Sequence, residues 1–211
     1  MSGKISLKDK LVNEYEILSQ GKKYIAGVDE VGRGPLAGPV VCAAVIMPLD
    51  DDLLIEGVDD SKKISEKKRE ILSKLIMERA IAYKICLVDH ERIDEVNILN
   101  ATKECMEACI VGLDVKPDVV LIDAVKLDVP YETKAIIKGD AKSYTIGAAS
   151  IIAKVYRDKL MEKFHDDFPA YNFKKNKGYG TKEHITAIKE VGPCPIHRRT
   201  FIKNFWGSKE S

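Results

Sequence analysis

The spacing of apolar residues changes period several times along the chain, and each change marks an element. Leu11, Val12, Tyr15 and Leu18 recur at helical spacing up to Gly21, which predicts a short amphipathic helix. "YIAGVDE" (24–30) then reads as a strand and "PVVCAAVIM" (39–47) as a second, continuously apolar one, with a loop between them short enough for a hairpin. An acidic, turn-rich loop, "LDDDLLIEGVDDSKKIS", precedes a helix over 65–80 with Ser65 as N-cap and Ile71, Leu72, Leu75 and Ile76 facing inward. "IAYKICLVD" is a third strand. A helix near 97–113 carries an apolar stripe of Ile98, Leu99, Thr102, Cys105, Met106, Cys109, Ile110 and Leu113.

"PDVVLIDAV" is a buried strand ending in Asp123, and "TKAIIKGD" a fifth strand ending in Asp140. The longest helix runs from Ser143 to about Phe168, rich in small residues as suits close packing on a sheet, and Pro169 stops it. A flexible basic segment, "YNFKKNKGYGT", leads to a helix opened by Thr181 and the closing stretch "PCPIHRRTFIKNFW". No repeat, low-complexity tract or linker interrupts this order, so residues 1–211 read as one α/β domain with a mixed sheet.

Composition narrows the class. With 45% hydrophobic and 32% charged residues the chain is of globular type. No apolar run reaches a membrane span and the first 20 residues do not resemble a secretory signal, so a cytoplasmic location and no membrane are expected. With no heptad seam or obvious apolar patch, a monomer is expected. Net charge is +1, but residues 171–211 hold nine Lys or Arg against three acids. Such a basic segment suits either a polyanion or a solvated tail. The five cysteines form no C-x-x-C pair and read as buried thiols; the four histidines, His90, His165, His184 and His197, show no zinc spacing.

Acids supply the candidate chemistry. Asp29 with Glu30, Asp123 and Asp140 each close a predicted strand, where α/β sheets assemble their sites. Four converging carboxylates in a cleft must either take up protons or be neutralised by cations. Oxygen ligands without His or Cys favour Mg²⁺ or Mn²⁺, and two such ions can promote phosphodiester hydrolysis. Since strand neighbours point to opposite faces, Glu30 is expected where the strand has begun to turn, next to Gly32.

"GRGPLAG" has the wrong spacing for a dinucleotide loop and precedes a strand rather than a helix. Gly32 and Gly34 around Arg33 therefore form either a tight turn or a surface where backbone groups approach a ligand such as a 2′-hydroxyl. Tyr179, between two glycines, offers an exposed ring for stacking on a sugar or base. Lys62, Lys63, Arg198 and Arg199 are candidate phosphate contacts or solvated charges.

The blocks "AGVDEVGRGPLAGPVVCAAV", "DSKKIS", "NILNAT", "LIDA", "IIKGD", "GAASIIAKVYRD", "KGYGT" and "PIHRRTF" together resemble, in order, those of the bacterial ribonuclease HII family, over about residues 24–201. The resemblance implies a ribonuclease H-like fold, a mixed sheet flanked by helices, with a C-terminal helical extension. It implies divalent-metal endonuclease activity on the RNA strand of RNA–DNA hybrids and at ribonucleotides embedded in duplex DNA. Asp29, Glu30, Asp123 and Asp140 would be the catalytic, metal-binding acids. Gly32, Arg33, Gly34 and Tyr179 would sense the ribose and its junction with DNA, and Lys62 would contact phosphate. Asp158 reads as helix structure, and Ala124 stands where the family often has glycine. A ribonuclease restricted to longer hybrids and a non-catalytic nucleic-acid binding module are the rival readings.

Overall fold

The structure, a computed structural model, describes residues 6–59, 61–123 and 125–206. Ala124 and the side chain of Lys63 lie outside the described residues. Five strands, β1 (Ile25–Val31), β2 (Val40–Ile46), β3 (Ala82–Val88), β4 (Val119–Ile122) and β5 (Glu132–Ala135), form one sheet in the order β3-β2-β1-β4-β5. β2 is antiparallel to both β1 and β3, whereas β4 is parallel to β1 and β5 to β4. The short 32–39 loop returns β2 antiparallel to β1, and the long helix-containing stretch between β2 and β4 lets β4 come back parallel to β1. The helices are α1 (Leu7–Lys10), α2 (Val12–Ser19), α3 (Glu66–Arg79), α4 (His90–Val111), α5 (Gly139–Lys142), α6 (Tyr144–Asp167), α7 (Phe173–Asn176), α8 (Lys182–Val191) and α9 (Arg199–Trp206).

Both faces of the central strands are covered, which is why 39–47 is apolar without alternation. Ala26, Val28, Val40, Cys42 and Ala44 pack with Ile93, Cys105, Met106, Cys109 and Ile110 of α4. Val41, Ala43 and Val45 pack on the other face with Leu72 and Ile76 of α3 and Ala148, Ala149 and Ile152 of α6. α6 crosses β1 at Gly27, where a Cβ would fall 2.1 Å from the Thr145 carbonyl carbon and 2.3 Å from the Ile146 nitrogen. Only hydrogen fits there. The start of α6 is held by the Ser143 side chain, which accepts from the Ile146 amide, and by the buried Glu14, whose Oε1 accepts from Ser143 Oγ, Thr145 Oγ1 and the Thr145 amide.

Several expectations need correction. The fifth strand ends at Ala135, and Asp140 sits instead in the first turn of α5. The stripe of the first helix is Leu11, Glu14 and Ile17, while Val12 and Tyr15 are exposed. Glu14 is inside because it caps α6. Ile71 and Leu99 are likewise exposed. Ser65 occupies the N-cap of α3 without a side-chain cap bond. α4 begins at His90 and breaks at Asn97 (φ 69°), whose Oδ1 accepts from the Leu99 and Asn100 amides and so caps the second half. The segment expected to be flexible, "YNFKKNKGYGT", is packed: Tyr171, Phe173 and Asn176 are buried. Its basic residues mask that aromatic anchor in the sequence.

Candidate active site

The C-terminal ends of β1 and β4 bring the first two acids together. Val28 and Ile122 are the last paired residues of these parallel neighbours, and Asp29 and Asp123 follow them directly, on strands that sit about 4.8 Å apart. Glu30 lies one residue on, still inside β1 and opposite Cys42, so the expected turn before Glu30 does not occur. The two neighbours leave opposite faces of the strand, yet both line the cleft at its C-terminal end. Asp140 is delivered by α5: a Cβ on the preceding Gly139 would stand 3.5 Å from Asp123 Cβ.

All four carboxylates line one cleft of about 400 Å³, together with Ser61, Lys62, Arg69, Ser150, Lys154 and Tyr179. Burial, then the charge of Glu30, pushes the Asp29 carboxyl well above its ordinary range; Ser150, hydrogen-bonded to it, pulls the other way and Asp140 adds to the rise. Burial also raises Glu30, with Arg33 opposing at 3.5 Å and Asp123 adding. Asp29 and Glu30 are thus costly to ionise, through burial first and neighbouring carboxylates second, and a cation between them lowers that cost.

The donor set suits a hard divalent ion, since every candidate ligand is a carboxylate oxygen. Among the described residues no three His, Cys, Asp or Glu side chains close on one point as a preformed cage. An open arrangement fits Mg²⁺, which keeps water and substrate oxygens in its shell. Histidine is absent from the cleft lining, as are the thiols: Cys42, Cys105, Cys109 and Cys194 are buried and all five cysteines are free.

The 32–39 loop is irregular backbone whose carbonyls lack strand partners, and two buried arginines supply the donors. Arg198 donates to the carbonyls of Gly38 (3.0 Å), Arg33 (2.9 Å) and Gly32 (2.6 Å). Arg157 donates to those of Pro39, Ala37 and Lys177. A guanidinium presents several donors in a rigid fork, which matches such clustered carbonyls. Both readings of Arg198, phosphate contact and solvated charge, are therefore overturned: it is fully buried and spent on the loop. Arg199 is exposed but lies outside the cleft lining. Gly32 (φ +98°) is pressed against this scaffold, where a Cβ would meet Arg157 Nε at 2.3 Å.

Gly32, Arg33 and Gly34 stand at the rim rather than in the lining. Arg33 pairs with Glu30, and a Cβ on Gly34 would stand 3.6 Å from the Tyr179 ring. That ring is 42% exposed, so it is available at the mouth of the cleft. Lys62 lines the cleft beside Ser61, whose hydroxyl bonds Ser150 at 2.9 Å. Asp158 pairs with Lys154 (2.6 Å) and Arg69 (3.7 Å), in keeping with a structural part. Ser61, Arg69, Ser150, Lys154 and Arg157 are the residues that sequence reasoning passed over. The one signal was the pair of cations, Lys154 and Arg157, following a small and apolar run.

A mixed sheet of order β3-β2-β1-β4-β5, with acids gathered beyond its central strands, defines the class: a nuclease of ribonuclease H-like fold. The family model described as ribonuclease HII matches residues 26–207. A ribonuclease HII of Acetivibrio thermocellus is 53% identical over 195 residues, covering 92% of this chain and 75% of its own. One of Enterococcus faecalis is 56% identical over 182 residues, covering 86% and 71%. A chain from the solved PCNA:RNase HII complex of Archaeoglobus fulgidus aligns with a TM-score of 0.74 at 28% identity, over 89% of this chain and 97% of that one. The chain belongs to the ribonuclease HII family.

Proposed function

We propose that this protein is a divalent-metal-dependent endoribonuclease that hydrolyses the RNA strand of RNA–DNA hybrids. In this reading it also cuts duplex DNA on the 5′ side of an embedded ribonucleotide, leaving 3′-hydroxyl and 5′-phosphate ends. The observation that carries the reading is the gathering of Asp29, Glu30, Asp123 and Asp140 in one cleft that Lys62, Lys154 and Tyr179 also line.

Asp29, Glu30, Asp123 and Asp140 would hold Mg²⁺ or Mn²⁺, two ions with substrate bound, which would supply an activated water and stabilisation of the departing oxygen. Lys62 draws the backbone phosphate to the cleft. Backbone groups of Gly32, Arg33 and Gly34 read the 2′-hydroxyl from one side, and the Tyr179 ring stacks on the sugar at the junction from the other. The buried arginines keep that loop in one shape, which spares the ordering cost on binding. The reading includes monomeric action as one domain with the C-terminal segment, in the cytoplasm, in replication or repair. Five free thiols, and no helix among the described residues long and apolar enough to cross a membrane, accord with that location.

The test is cleavage of duplex DNA carrying one ribonucleotide, with Mg²⁺ or Mn²⁺. Cleavage 5′ of the ribonucleotide, abolished by chelator and restored by metal, supports the reading; intact substrate with every ion sinks it. A parallel duplex with four ribonucleotides separates it from an enzyme restricted to longer hybrids.

A further inference from the structure

Behind Tyr179, between α8 and the turn at 194–197, two fully buried histidines face each other against the rings of Tyr171 and Phe173. His184 Nδ1 lies 2.9 Å from the Tyr179 carbonyl oxygen, and His184 Nε2 lies 2.9 Å from His197 Nε2. His197 Nδ1 accepts from the Cys194 amide at 3.0 Å, with the Cys194 sulfur at 3.1 Å and its carbonyl at 3.2 Å.

The protons of this chain follow by elimination. A carbonyl can only accept, so His184 carries its hydrogen on Nδ1. A neutral ring then leaves His184 Nε2 as an acceptor, and His197 must donate from Nε2. That leaves His197 Nδ1 free to accept from the Cys194 amide, while the Cys194 carbonyl takes the His197 amide at 3.1 Å. Burial keeps both rings neutral, holding His184 below its usual value and His197 at about 4. The result is a one-way relay, Cys194 N–H to His197 to His184 to the Tyr179 carbonyl.

Both ends of the relay are tied to the recognition elements. Tyr179 follows Lys177 (φ 49°) and Gly178 (φ 85°), so its backbone has no regular element to hold it; besides His184, its carbonyl accepts from the Thr181 amide at 2.8 Å. At the other end His197 bridges Ala37, the Gly38 amide donates to the Ile196 carbonyl, and the Arg198 amide donates to the Leu36 carbonyl. Two adjacent residues thus serve the two sides of the cleft mouth. The His197 side chain leads to Tyr179, and the Arg198 side chain grips the backbone of the 32–34 turn.

We propose that His184 and His197 are positioning residues that fix the Tyr179 ring against the Gly32–Gly34 turn, and that discrimination of a single ribonucleotide in DNA depends on their relay. This rests on the reading of Tyr179 as a substrate contact. The relay makes no use of the acids and leaves the chemistry of the cleft unchanged, so its loss falls on the substrate that needs the junction contact.

Two measurements test it. Long-range ¹H–¹⁵N spectra of the histidine-labelled wild-type protein, assigned with His184→Asn and His197→Gln, should show His184 as the Nδ1–H tautomer and His197 as the Nε2–H tautomer. The same tautomer at both sites would overturn the relay, and this arm needs no variant kinetics should His184→Phe fail to fold. In steady-state cleavage, His184→Phe removes the donor to Tyr179 and should lower kcat/KM on the one-ribonucleotide duplex about tenfold, the scale of a lost buried hydrogen bond, with a smaller loss on four ribonucleotides. His184→Asn, with an amide nitrogen near the position of Nδ1, should restore most of it. In a Tyr179→Ala background the His184→Phe loss should shrink to less than about twofold, because coupled residues are not additive. An undiminished loss in that background would overturn the positioning role. If Tyr179→Ala alone changes nothing, the reading of Tyr179 itself fails and takes this role with it, while the tautomer pattern still reports separately on the relay.

Discussion

Asp29 is the residue on which charge and function pull hardest in opposite directions. It is 7% exposed and raised by burial, by Glu30 and by Asp140, so removing its charge relieves repulsion in the folded state. Asp29→Asn should therefore leave the melting temperature unchanged or raised without metal, while turnover falls by about a hundredfold or more, since the proposed function makes Asp29 a metal ligand. Asp123→Asn should show the same loss of turnover. Calorimetry beside the ribonucleotide cleavage assay checks both, and near-normal rates would remove these acids from the metal site. All four acids are legible as residues, since carboxylates at element ends are conspicuous between apolar runs. The scaffold behind them is not: Arg157 and Arg198 look like surface charges until the loop carbonyls they serve are brought beside them.

At the scale of elements, the placement of α6 on β1 decides the cleft, because α6 brings Ser150 to Asp29 and Lys154 to the lining. Gly27 permits that contact. Gly27→Ala should force the helix off the strand, costing on the order of 2 kcal/mol or more in urea denaturation and lowering turnover with it. An unchanged midpoint would show that the helix can shift freely. Arg198→Met keeps much of the buried volume but strips donors from the carbonyls of Gly32, Arg33 and Gly38, and should cost roughly 3 kcal/mol. Periodicity located β1, β2, β3, β4 and α6, whose apolar faces dominate their local sequence. It misplaced Asp140, which follows a left-handed Lys138 (φ 59°) into α5, and it missed the helical turns 90–96 before Asn97, whose side chain caps the second half of α4.

Over the whole molecule, the C-terminal segment is packed onto the body by Ala37, Met161, Tyr171, Phe173 and Ile188, and its two buried histidines make stability depend on pH. The unfolded chain takes up these protons near pH 6.5, whereas folded His197 resists until about 4. Their contribution is complete above about pH 6.5 and is lost as pH falls through that window, by about 3 kcal/mol at most for His197. The raised acids Asp29, Glu30 and Glu14 act oppositely, gaining relative stability as pH falls. The readout is therefore the difference between wild type and His197→Gln in urea midpoints at pH 7.5 and 5, and that difference should narrow at the lower pH.

Sequence alone determined the α/β class and most of the strands, and singled out the four acids, the glycine turn and the tyrosine as candidates, because each is written in local period or in residue type. Tertiary structure alone decided that Glu30 stays in β1, that α5 delivers Asp140, that Arg198 is buried, and that His184 meets His197. Such facts depend on which distant backbone groups lack partners once the chain is compact. Unsatisfied carbonyls and amides recruit side chains from wherever the fold places them, and that demand leaves no mark in the neighbouring sequence.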